Sequence, residues 1–313
     1  MPNDAEAVPD QAIVTAALAG LLAKRKTLPP SLFYDEEGCR LFYEITRAPE
    51  YYLTRTELAL LETIAPEIAA IVPTGSALVE YGASDETKAD FLLRQNNGTA
   101  FRAYVPIDVA APALRSLRDR MTMSHPGLSV LPVVADFLRP VDIPALGHGT
   151  TGFFPGSTIG NLEASAAISF LRRARAALGP KARFLLGFDT CQDQARLIPA
   201  YNDAAGITAA FNLNLLTRLN REAAATFNRG DFRHEAIWNK AESRIEMHLI
   251  ARAAHTVSVA GQHVHFDRGE SIHTENSYKY APDRMAAMIA EGGWTRLRTW
   301  SDPDGLFALW LLG

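Results

Sequence analysis

The sequence predicts an α/β protein: a parallel sheet covered by helices, joined to a second unit of mixed α+β structure. From about residue 77 to residue 189, short apolar runs alternate with helix-like segments, which is the pattern of strands connected by crossover helices. After residue 193 the chain becomes helical and then shows period-two alternation with glycine-containing turns. The change of pattern indicates two kinds of architecture in one chain.

The composition is that of an ordinary globular protein. The chain has 313 residues, of which 48% are hydrophobic and 21% charged, so it is long enough to bury a sizeable core. Its net charge of -4 offers no basic field for a phosphate backbone, which argues against a dedicated nucleic-acid binder. A small molecule is therefore the expected partner.

The N-terminal apolar run "AIVTAALAGLLA" predicts a helix from Gln11 to Lys26 that is closed by the basic residues "KRK". The run is about half the length needed to cross a bilayer, and acids rather than a basic segment precede it. Cys39 and Cys191 lie far apart, which predicts no disulfide framework and no thiol-based zinc site. We expect a cytoplasmic protein that does not bind membranes.

The elements of the predicted sheet follow in order along the chain. The strands are read from "ALVEYG", "FRAYVPIDV", "LSVLPVVADF", "TTGFFPGS" and "ARFLLGFD", and the helices from "DETKADFLLRQ", "APALRSLRDRM" and "EASAAISFLRRARAAL". Ligands of such sheets bind at the carboxyl ends of the strands. The final "GWTRLRTWSDPDGLFALWLL" predicts a hairpin that adds to the edge of this sheet, so the second unit would be an insertion.

The second unit begins with the helical stretch "RLIPAYNDAAGITAAFNLNLLTRLNREAAATF", in which we expect Tyr201 to open a helix. The runs "SRIEMHLIARA", "HTVSVAG" and "HVHFDRG" then predict an antiparallel meander. Met247 alternates with neighbouring apolar residues and is expected in the core of its strand. His263 and His265 have no third ligand at a sensible spacing, so they are interpreted as surface or packing residues.

A small adenosyl ligand is the best candidate for the loop after the first strand. Gly82 ends this strand, Lys88 lies in the following helix, and the loop lacks the G-x-G-x-x-G pattern of a dinucleotide site. Asp108 closes the second strand, and Asp136 with Phe137 closes the third, all at one rim. The alternatives are a tight turn without a ligand at Gly82 and helix N-caps for the two acids.

Six stretches carry a resemblance to a known family: "LFYDEEGCRLFYEITRAPEYYLTRTE", "YGASDETK", "PGSTIGN", "AYNDAAGITAAFNLNLL", "RIEMHL" and "HTENSYKY". In this order they resemble the S-adenosylmethionine-dependent histidine Nα-methyltransferases of ergothioneine biosynthesis, and they span nearly the whole chain. Two departures are visible. Ser84 stands where the family has a second glycine, and Gln192 stands where it has a lysine.

The resemblance implies a class I (Rossmann-like) methyltransferase domain, expected at residues 56–195 plus 281–313, with an inserted α+β substrate-binding domain at 10–55 plus 196–280. It implies trimethylation of the α-amino group of L-histidine to hercynine, with S-adenosyl-L-methionine converted to S-adenosyl-L-homocysteine. We expect a monomer that uses no metal. The alternative is a methyltransferase of the same family that acts on another amino acid or amine.

The resemblance also implies two sets of binding residues. Those expected around S-adenosylmethionine are Gly82, Lys88, Asp108, Asp136 and Phe137. Those expected around histidine are Tyr51, Asn161, Tyr201, Glu275, Asn276 and Ser277, with Tyr34 and Met247 close by.

The chemistry suggests a role for each residue at the amino-acid end of the substrate. Tyr51, with Tyr34 as second candidate, would hydrogen-bond the amine while its ring favours the growing cation. Carbonyls around Gly156 and Thr158 would also accept from the amine. Amide and phenol donors would fix the carboxylate, and these are Asn161 and Tyr201. The alternatives are a core aromatic pair for Tyr51, a helix N-cap for Asn161 and ordinary packing for Tyr201.

Glu275 and Ser277 are expected to select the imidazole. If their stretch is extended, residues at i and i+2 share a face, and both can accept from the ring N–H. The alternative places Glu275 in the first turn of the helix that follows.

Overall fold

The computed structural model describes residues 9–83, 85–95, 99–145 and 149–313. They divide into two compact units, each built from separated stretches of chain. Unit 1 is formed within Met1–Tyr52 and by Gln192–Ser277, and unit 2 within Leu53–Cys191 and by Tyr278–Gly313. The chain therefore passes from one unit to the other at three points.

The elements are numbered in chain order. The helices are α1 (Gln11–Leu21), α2 (Glu36–Ile45), α3 (Tyr52–Ile71), α4 (Thr87–Leu93), α5 (Ala111–Ser124), α6 (Ala164–Leu178), α7 (Gln194–Ala200), α8 (Ile207–Glu222) and α9 (Pro282–Glu291). The strands are β1 (Lys26–Thr27), β2 (Ser76–Tyr81), β3 (Phe101–Asp108), β4 (Ser129–Val130), β5 (Val133–Val134), β6 (Thr150–Phe154), β7 (Arg183–Asp189), β8 (Phe232–Asn239), β9 (Arg244–Ala251), β10 (His255–Val259), β11 (Gln262–Phe266), β12 (Ser271–Tyr278), β13 (Arg296–Ser301) and β14 (Phe307–Leu312).

The sheet of unit 2 has the order β4-β3-β2-β6-β7-β14-β13, with β5 pairing beside β3. The pairs of β2 with β3 and β6, and of β6 with β7, are parallel, whereas β14 runs antiparallel to both β7 and β13. This confirms the Rossmann-like parallel sheet and the C-terminal hairpin at its edge. The third predicted strand is shorter than expected, because Pro132 separates the two-residue strands β4 and β5 and has no N–H for a ladder bond.

Apolar side chains cover both faces of this sheet. Val79 and Tyr81 of β2 pack in one buried cluster with Phe170 of α6, and α9 contributes to the same cluster. Leu78 lies in a second cluster with residues of α3, α4 and α5. Successive residues of one strand thus point to opposite faces of the sheet, and both faces are covered by apolar side chains. Polar side chains are therefore expected at the strand ends.

Unit 1 contains a sheet of order β1-β12-β9-β8 and a separate hairpin of β10 and β11. The predicted meander is therefore wrong in its connections, since β9 pairs with β8 and β12 and not with β10. Strand β8 was not predicted from the sequence. Met247 is buried in β9, as the alternation predicted, and His263 and His265 are exposed on β11.

Helix α1 is capped by Asp10, whose carboxylate accepts from the N–H groups of Ala12 and Ile13. It ends at Leu21, so the predicted extension to Lys26 is wrong. Lys26 lies in β1, which pairs parallel to β12, and its ammonium forms an ion pair with Glu270. Among the helices of the described ranges, none is both long enough and apolar enough to cross a membrane.

Candidate functional site

The carboxyl edge of the unit 2 sheet brings together four residues predicted for the cofactor and Gly156, which is predicted to face the substrate amine. Gly82 follows β2, Asp108 ends β3, Asp136 and Phe137 follow β5, and Gly156 follows β6. Because these strands are parallel, their carboxyl ends lie at one edge of the sheet.

Gly82 and Phe137 lie next to each other at this edge. Gly82 has φ +77°, and a Cβ placed on it would lie 3.5 Å from Cε1 of the Phe137 ring. The ring also packs edge-on against Phe154 and Phe170. A glycine is favoured here by its left-handed conformation. Ser84, one of the two departures from the family pattern, lies outside the described residues.

The two carboxylates of this edge each close a local turn. Asp108 accepts from the N–H of Ala110 at 2.8 Å, and Asp136 accepts from the N–H of Leu138 at 2.9 Å. Burial raises the pKa of Asp108, although its backbone hydrogen bonds act in the opposite direction. Asp136 is exposed and lies 3.6 Å from Arg139. Neither acid is the N-cap of a helix, so that alternative is wrong.

Lys88 is held by a buried carboxylate that the sequence analysis missed. Its Nζ lies 2.7 Å from Oε2 of Glu57, which is fully buried, and Oε1 of Glu57 accepts from the N–H of Gly156 at 2.8 Å. Glu57 lies four residues from both Leu53 and Leu61, on the buried stripe of α3. An acid at an apolar position of a helix was the signal available in the sequence.

A second buried ion pair supports the turn that carries Asn161. Asp189 and Lys279 are both fully buried, with Nζ 2.7 Å from Oδ2. The N–H of Asp189 donates to Oγ of Ser157, which itself adopts φ +59°. Asn161 is the last residue of the 3-10 helix Thr158–Asn161.

The remaining residues of this turn are tightly packed. The hydroxyl of Thr158 donates to the carbonyl of Pro155 at 2.8 Å, and a Cβ on Gly160 would lie 2.6 Å from the carbonyl oxygen of Tyr278. The residue at the N-cap position of α6 is Glu163, so the N-cap alternative for Asn161 is wrong. The backbone of this turn is thus fixed by packing and by the buried Asp189.

In unit 1, Tyr201 lies at the end of α7 and not at the start of a helix, which corrects the sequence prediction. Helix α8 begins six residues later, where Asp203 accepts from the N–H groups of Ile207 and Thr208. The Tyr201 hydroxyl hydrogen-bonds Oγ of Ser277 at 2.8 Å, and its ring meets Tyr51 edge-on at 6.1 Å. The structure thus brings three of the predicted histidine-binding residues together.

Two residues that the sequence analysis did not single out hold the Tyr201 backbone. His234 lies with Nε2 2.9 Å from the Tyr201 carbonyl, and Asn212 lies with Nδ2 2.9 Å from Nδ1 of His234. A carbonyl only accepts, so Nε2 carries the proton and Nδ1 accepts from the Asn212 amide. Burial lowers the pKa of His234, with the bond to Tyr201 opposing it, and the neutral ring suits both contacts.

The stretch predicted to recognise the imidazole lies in β12, so the alternative of Glu275 as a helix acid is wrong. Glu275 is 9% exposed and Ser277 is 4% exposed. Oδ1 of Asn276 is buried and has no hydrogen-bond partner among the described residues. The Thr274 hydroxyl donates to the carbonyl of Met247 at 3.0 Å, which links β12 to the buried part of β9.

Tyr34 lies at the end of the short 3-10 helix Pro30–Phe33 in unit 1. It is half-buried and packs edge-on against Phe42 and Phe211, at 6.0 and 6.2 Å between ring centres. Gln192, the second departure from the family pattern, is exposed.

Comparison with known proteins identifies the family of this chain. A family model described as "Histidine-specific methyltransferase, SAM-dependent" matches residues 13–313. A histidine N-alpha-methyltransferase of Mycolicibacterium smegmatis is 43% identical, over 93% of this chain and 91% of the relative. A protein of the same name from Mycobacterium tuberculosis is 38% identical, with the same two coverages.

A more distant relative, the N-methyltransferase imqF of Aspergillus flavus, is 26% identical over 93% of this chain and 82% of its own length. The match of the family model covers the chain from α1 to the last strand, which confirms the predicted family and shows an S-adenosylmethionine-dependent N-methyltransferase. This chain belongs to the family of S-adenosylmethionine-dependent, histidine-specific methyltransferases.

Proposed function

We propose that this chain methylates the α-amino group of L-histidine three times and so produces hercynine, the first step of ergothioneine biosynthesis. The observation that carries the proposal is the β12 stretch from Glu275 to Ser277. It presents a buried carboxylate, a buried hydroxyl bonded to Tyr201 and an amide oxygen without a partner among the described residues.

The edge of the unit 2 sheet fits S-adenosylmethionine. Gly82 leaves the space beside the Phe137 ring free of a side chain, and Asp108 places a carboxylate at the end of the next strand. An acid at that position suits ribose hydroxyls. We assign the adenosyl part of the ligand to Gly82, Asp108, Asp136 and Phe137, with Lys88 nearby. When bound, S-adenosylmethionine supplies an electrophilic methyl group.

The imidazole is assigned to unit 1. Glu275 and Ser277 would accept from the ring N–H, and the buried Met247 would line the ring. A side chain without an N–H cannot donate to the Glu275 carboxylate, so it would bind with a penalty of about 1.5–3 kcal/mol, the contribution of a hydrogen bond to a charged group. This penalty is the proposed source of histidine specificity.

Hydrogen-bonding groups are assigned to the amino-acid end of histidine. Tyr201 and Asn161 would hold the carboxylate. Tyr51, with Tyr34 as second candidate, would accept from the amine and face the trimethylammonium product, and the carbonyls of Gly156 and Thr158 would also accept from the amine. An aromatic face favours a cation by about 0.5–2 kcal/mol, so the same pocket tolerates an amine that loses its last N–H.

The net charge of -4 supports a small-molecule substrate rather than nucleic acid. We further propose that the protein acts as a monomer in the cytoplasm without membrane binding. Sedimentation of the purified chain would test the oligomeric state, and a concentration-dependent dimer would contradict it.

The direct test is to mix the protein with S-adenosylmethionine and a panel of amino acids and to weigh the products. We expect histidine to gain up to three methyl groups at its α-nitrogen. Faster methylation of another amino acid or amine would favour the alternative substrate, and no methylated product from any of them would contradict the proposal.

Glu275→Ala separates the two ligands. We expect the affinity for histidine to fall by about 1.5–3 kcal/mol, or about 10- to 150-fold, since a charge-assisted hydrogen bond is lost. The affinity for S-adenosylmethionine should stay unchanged. Calorimetric titration of both ligands measures this, with Glu242→Ala, an exposed acid of the same unit, as the matched control. Equal losses for both ligands would contradict the assignment.

A further inference from the structure

A cluster of two histidines and a glutamate lies in the sheet of unit 1 and has no role in the proposed function. Glu246 and His248 are two residues apart in β9 and thus share a face, and His273 lies in the neighbouring β12. One possible ligand atom from each of the three lies within 4.8 Å of the other two. All three side chains are half-buried.

The hydrogen bonds of His273 leave one ring nitrogen as an electron-pair donor. Its Nε2 lies 3.0 Å from the backbone carbonyl of Glu275. Because a carbonyl only accepts, Nε2 carries the proton and Nδ1 of the neutral ring keeps its lone pair. A metal-binding histidine usually donates the N–H of its other ring nitrogen to a carbonyl or carboxylate. This bond fixes both the tautomer and the orientation of the ring.

Hydrogen bonds also orient the carboxylate of Glu246. Its Oε1 accepts from Nδ2 of Asn239 at 2.9 Å and from Nε of Arg244 at 2.8 Å, whereas Oε2 faces Nε2 of His248 at 3.2 Å. The carboxylate is therefore anchored through one oxygen and presents the other to the histidines. On the second histidine, Nδ1 of His248 is buried and has no hydrogen-bond partner among the described residues.

The cluster needs a small adjustment to hold an ion. The possible ligand atoms lie within 4.8 Å of one another, whereas the ligand atoms of a tetrahedral zinc ion stand about 3.4 Å apart. The terminal torsion of His248 is soft, and turning this ring gives up its long contact with Glu246. Arg244 opposes a cation, so the site is expected to be weaker than a closed structural zinc site.

We infer that Glu246, His248 and His273 form a binding site for a divalent transition-metal ion, Zn²⁺ foremost, with one position left to solvent. Two imidazoles and one carboxylate are a ligand set that zinc accepts, and the alternatives Ni²⁺, Co²⁺ and Cu²⁺ share it. The bound ion joins β9 to β12, the strand that carries Glu275. It stabilises the folded state by binding to it and takes no part in methyl transfer.

Zinc titration of the untagged full chain, stripped of metal by a chelator, tests the site. We expect one Zn²⁺ per chain by calorimetry and by metal analysis after dialysis, and a rise in the melting temperature on binding. His248→Ala and His273→Ala should each lower the affinity at least about 10-fold. His263→Ala, which removes an exposed histidine of β11, should bind Zn²⁺ as the parent chain does.

Co²⁺ supplies a second measurement that does not depend on affinity alone. Visible absorption bands of histidine-ligated Co²⁺ should appear in the parent chain and in His263→Ala, and should be absent from His248→Ala. Circular dichroism of the metal-free variants shows whether they are folded. If His273→Ala is unfolded, the zinc affinities of His248→Ala and Glu246→Gln decide whether the site exists. Unchanged zinc affinity in the folded variants, or an equal loss in His263→Ala, would overturn the inference.

Discussion

The buried polar groups of the two units are satisfied in different ways. At the sheet edge of unit 2 they are charged and paired with each other: Glu57 binds Lys88, and Asp189 binds Lys279. Each carboxylate residue also bonds the turn after β6, Glu57 by accepting from the N–H of Gly156 and Asp189 by donating its own N–H to Ser157.

Around Tyr201 in unit 1, neutral groups bond one another. The Tyr201 hydroxyl bonds Ser277, its carbonyl bonds His234, and the amide oxygen of Asn276 has no partner among the described residues. Charges that bind one another fix the backbone of the turn after β6. Neutral donors and an unsatisfied acceptor can exchange partners when a ligand arrives, so the first arrangement suits a scaffold and the second suits recognition.

The largest expected effect comes from breaking a buried pair. Asp189→Asn leaves the ammonium of Lys279 fully buried without its counter-charge, and we expect the free energy of unfolding to fall by about 3–5 kcal/mol. Urea unfolding followed by circular dichroism measures it. The double variant Asp189→Asn/Lys279→Met removes the buried ammonium as well and should recover part of the loss. A single variant as stable as the parent would show that the pair is not a structural support.

An effect that is spread over several pH units should appear as a dependence of stability on pH. Burial raises the pKa of Glu80 from its ordinary 4.5 to about 8, although the Tyr104 hydroxyl bond acts in the opposite direction. Between these values the folded state holds a proton that the unfolded state has released, so stability falls as the pH rises, by up to about 1.4 kcal/mol per pH unit.

Glu80→Gln, which cannot ionise, should lose this part of the pH dependence. The free energies of unfolding of the parent and the variant between pH 5 and 8, measured in urea, should therefore diverge in slope. Parallel curves would mean that the Glu80 carboxyl is ionised in the folded protein throughout this range.

The smallest effect belongs to the neutral site. Tyr201→Phe and Ser277→Ala each remove one side of the 2.8 Å hydroxyl pair, and a double-mutant cycle should give a coupling of about 0.5–1.5 kcal/mol in the free energy of unfolding. Both variants should weaken histidine binding more than they weaken the fold. A coupling near zero would indicate that the two hydroxyls act independently.

Local patterns in the sequence were enough for most of unit 2. Strands such as "ALVEYG" are short, apolar and followed by turn residues, and "SDPDG" marks a hairpin without any knowledge of distant contacts. The residues at the strand ends could be named for the same reason, because parallel strands bring their carboxyl ends to one edge.

The errors concern features that depend on distant partners. The burial of Glu57 depends on Lys88 and on Gly156, 99 positions along the chain. Tyr201 lies in a stretch that favours helix on both sides, and the break comes before Asp203, whose carboxylate accepts from the N–H groups of Ile207 and Thr208. The sequence does not reveal which of two helix-compatible residues ends a helix. The pairing of β9 with β12 rather than β10 was hidden in the same way.

The three crossings of the chain between units have a consequence for synthesis on the ribosome. Unit 1 lacks β12 until Ser277 has been made, and unit 2 lacks β14 until Leu312 has been made. Neither unit can complete its sheet while the intervening residues of the other unit are being synthesised. The nascent protein must therefore keep apolar strand surfaces exposed for most of its translation. Binding by chaperones should matter more for this chain than for one whose domains follow one another in sequence.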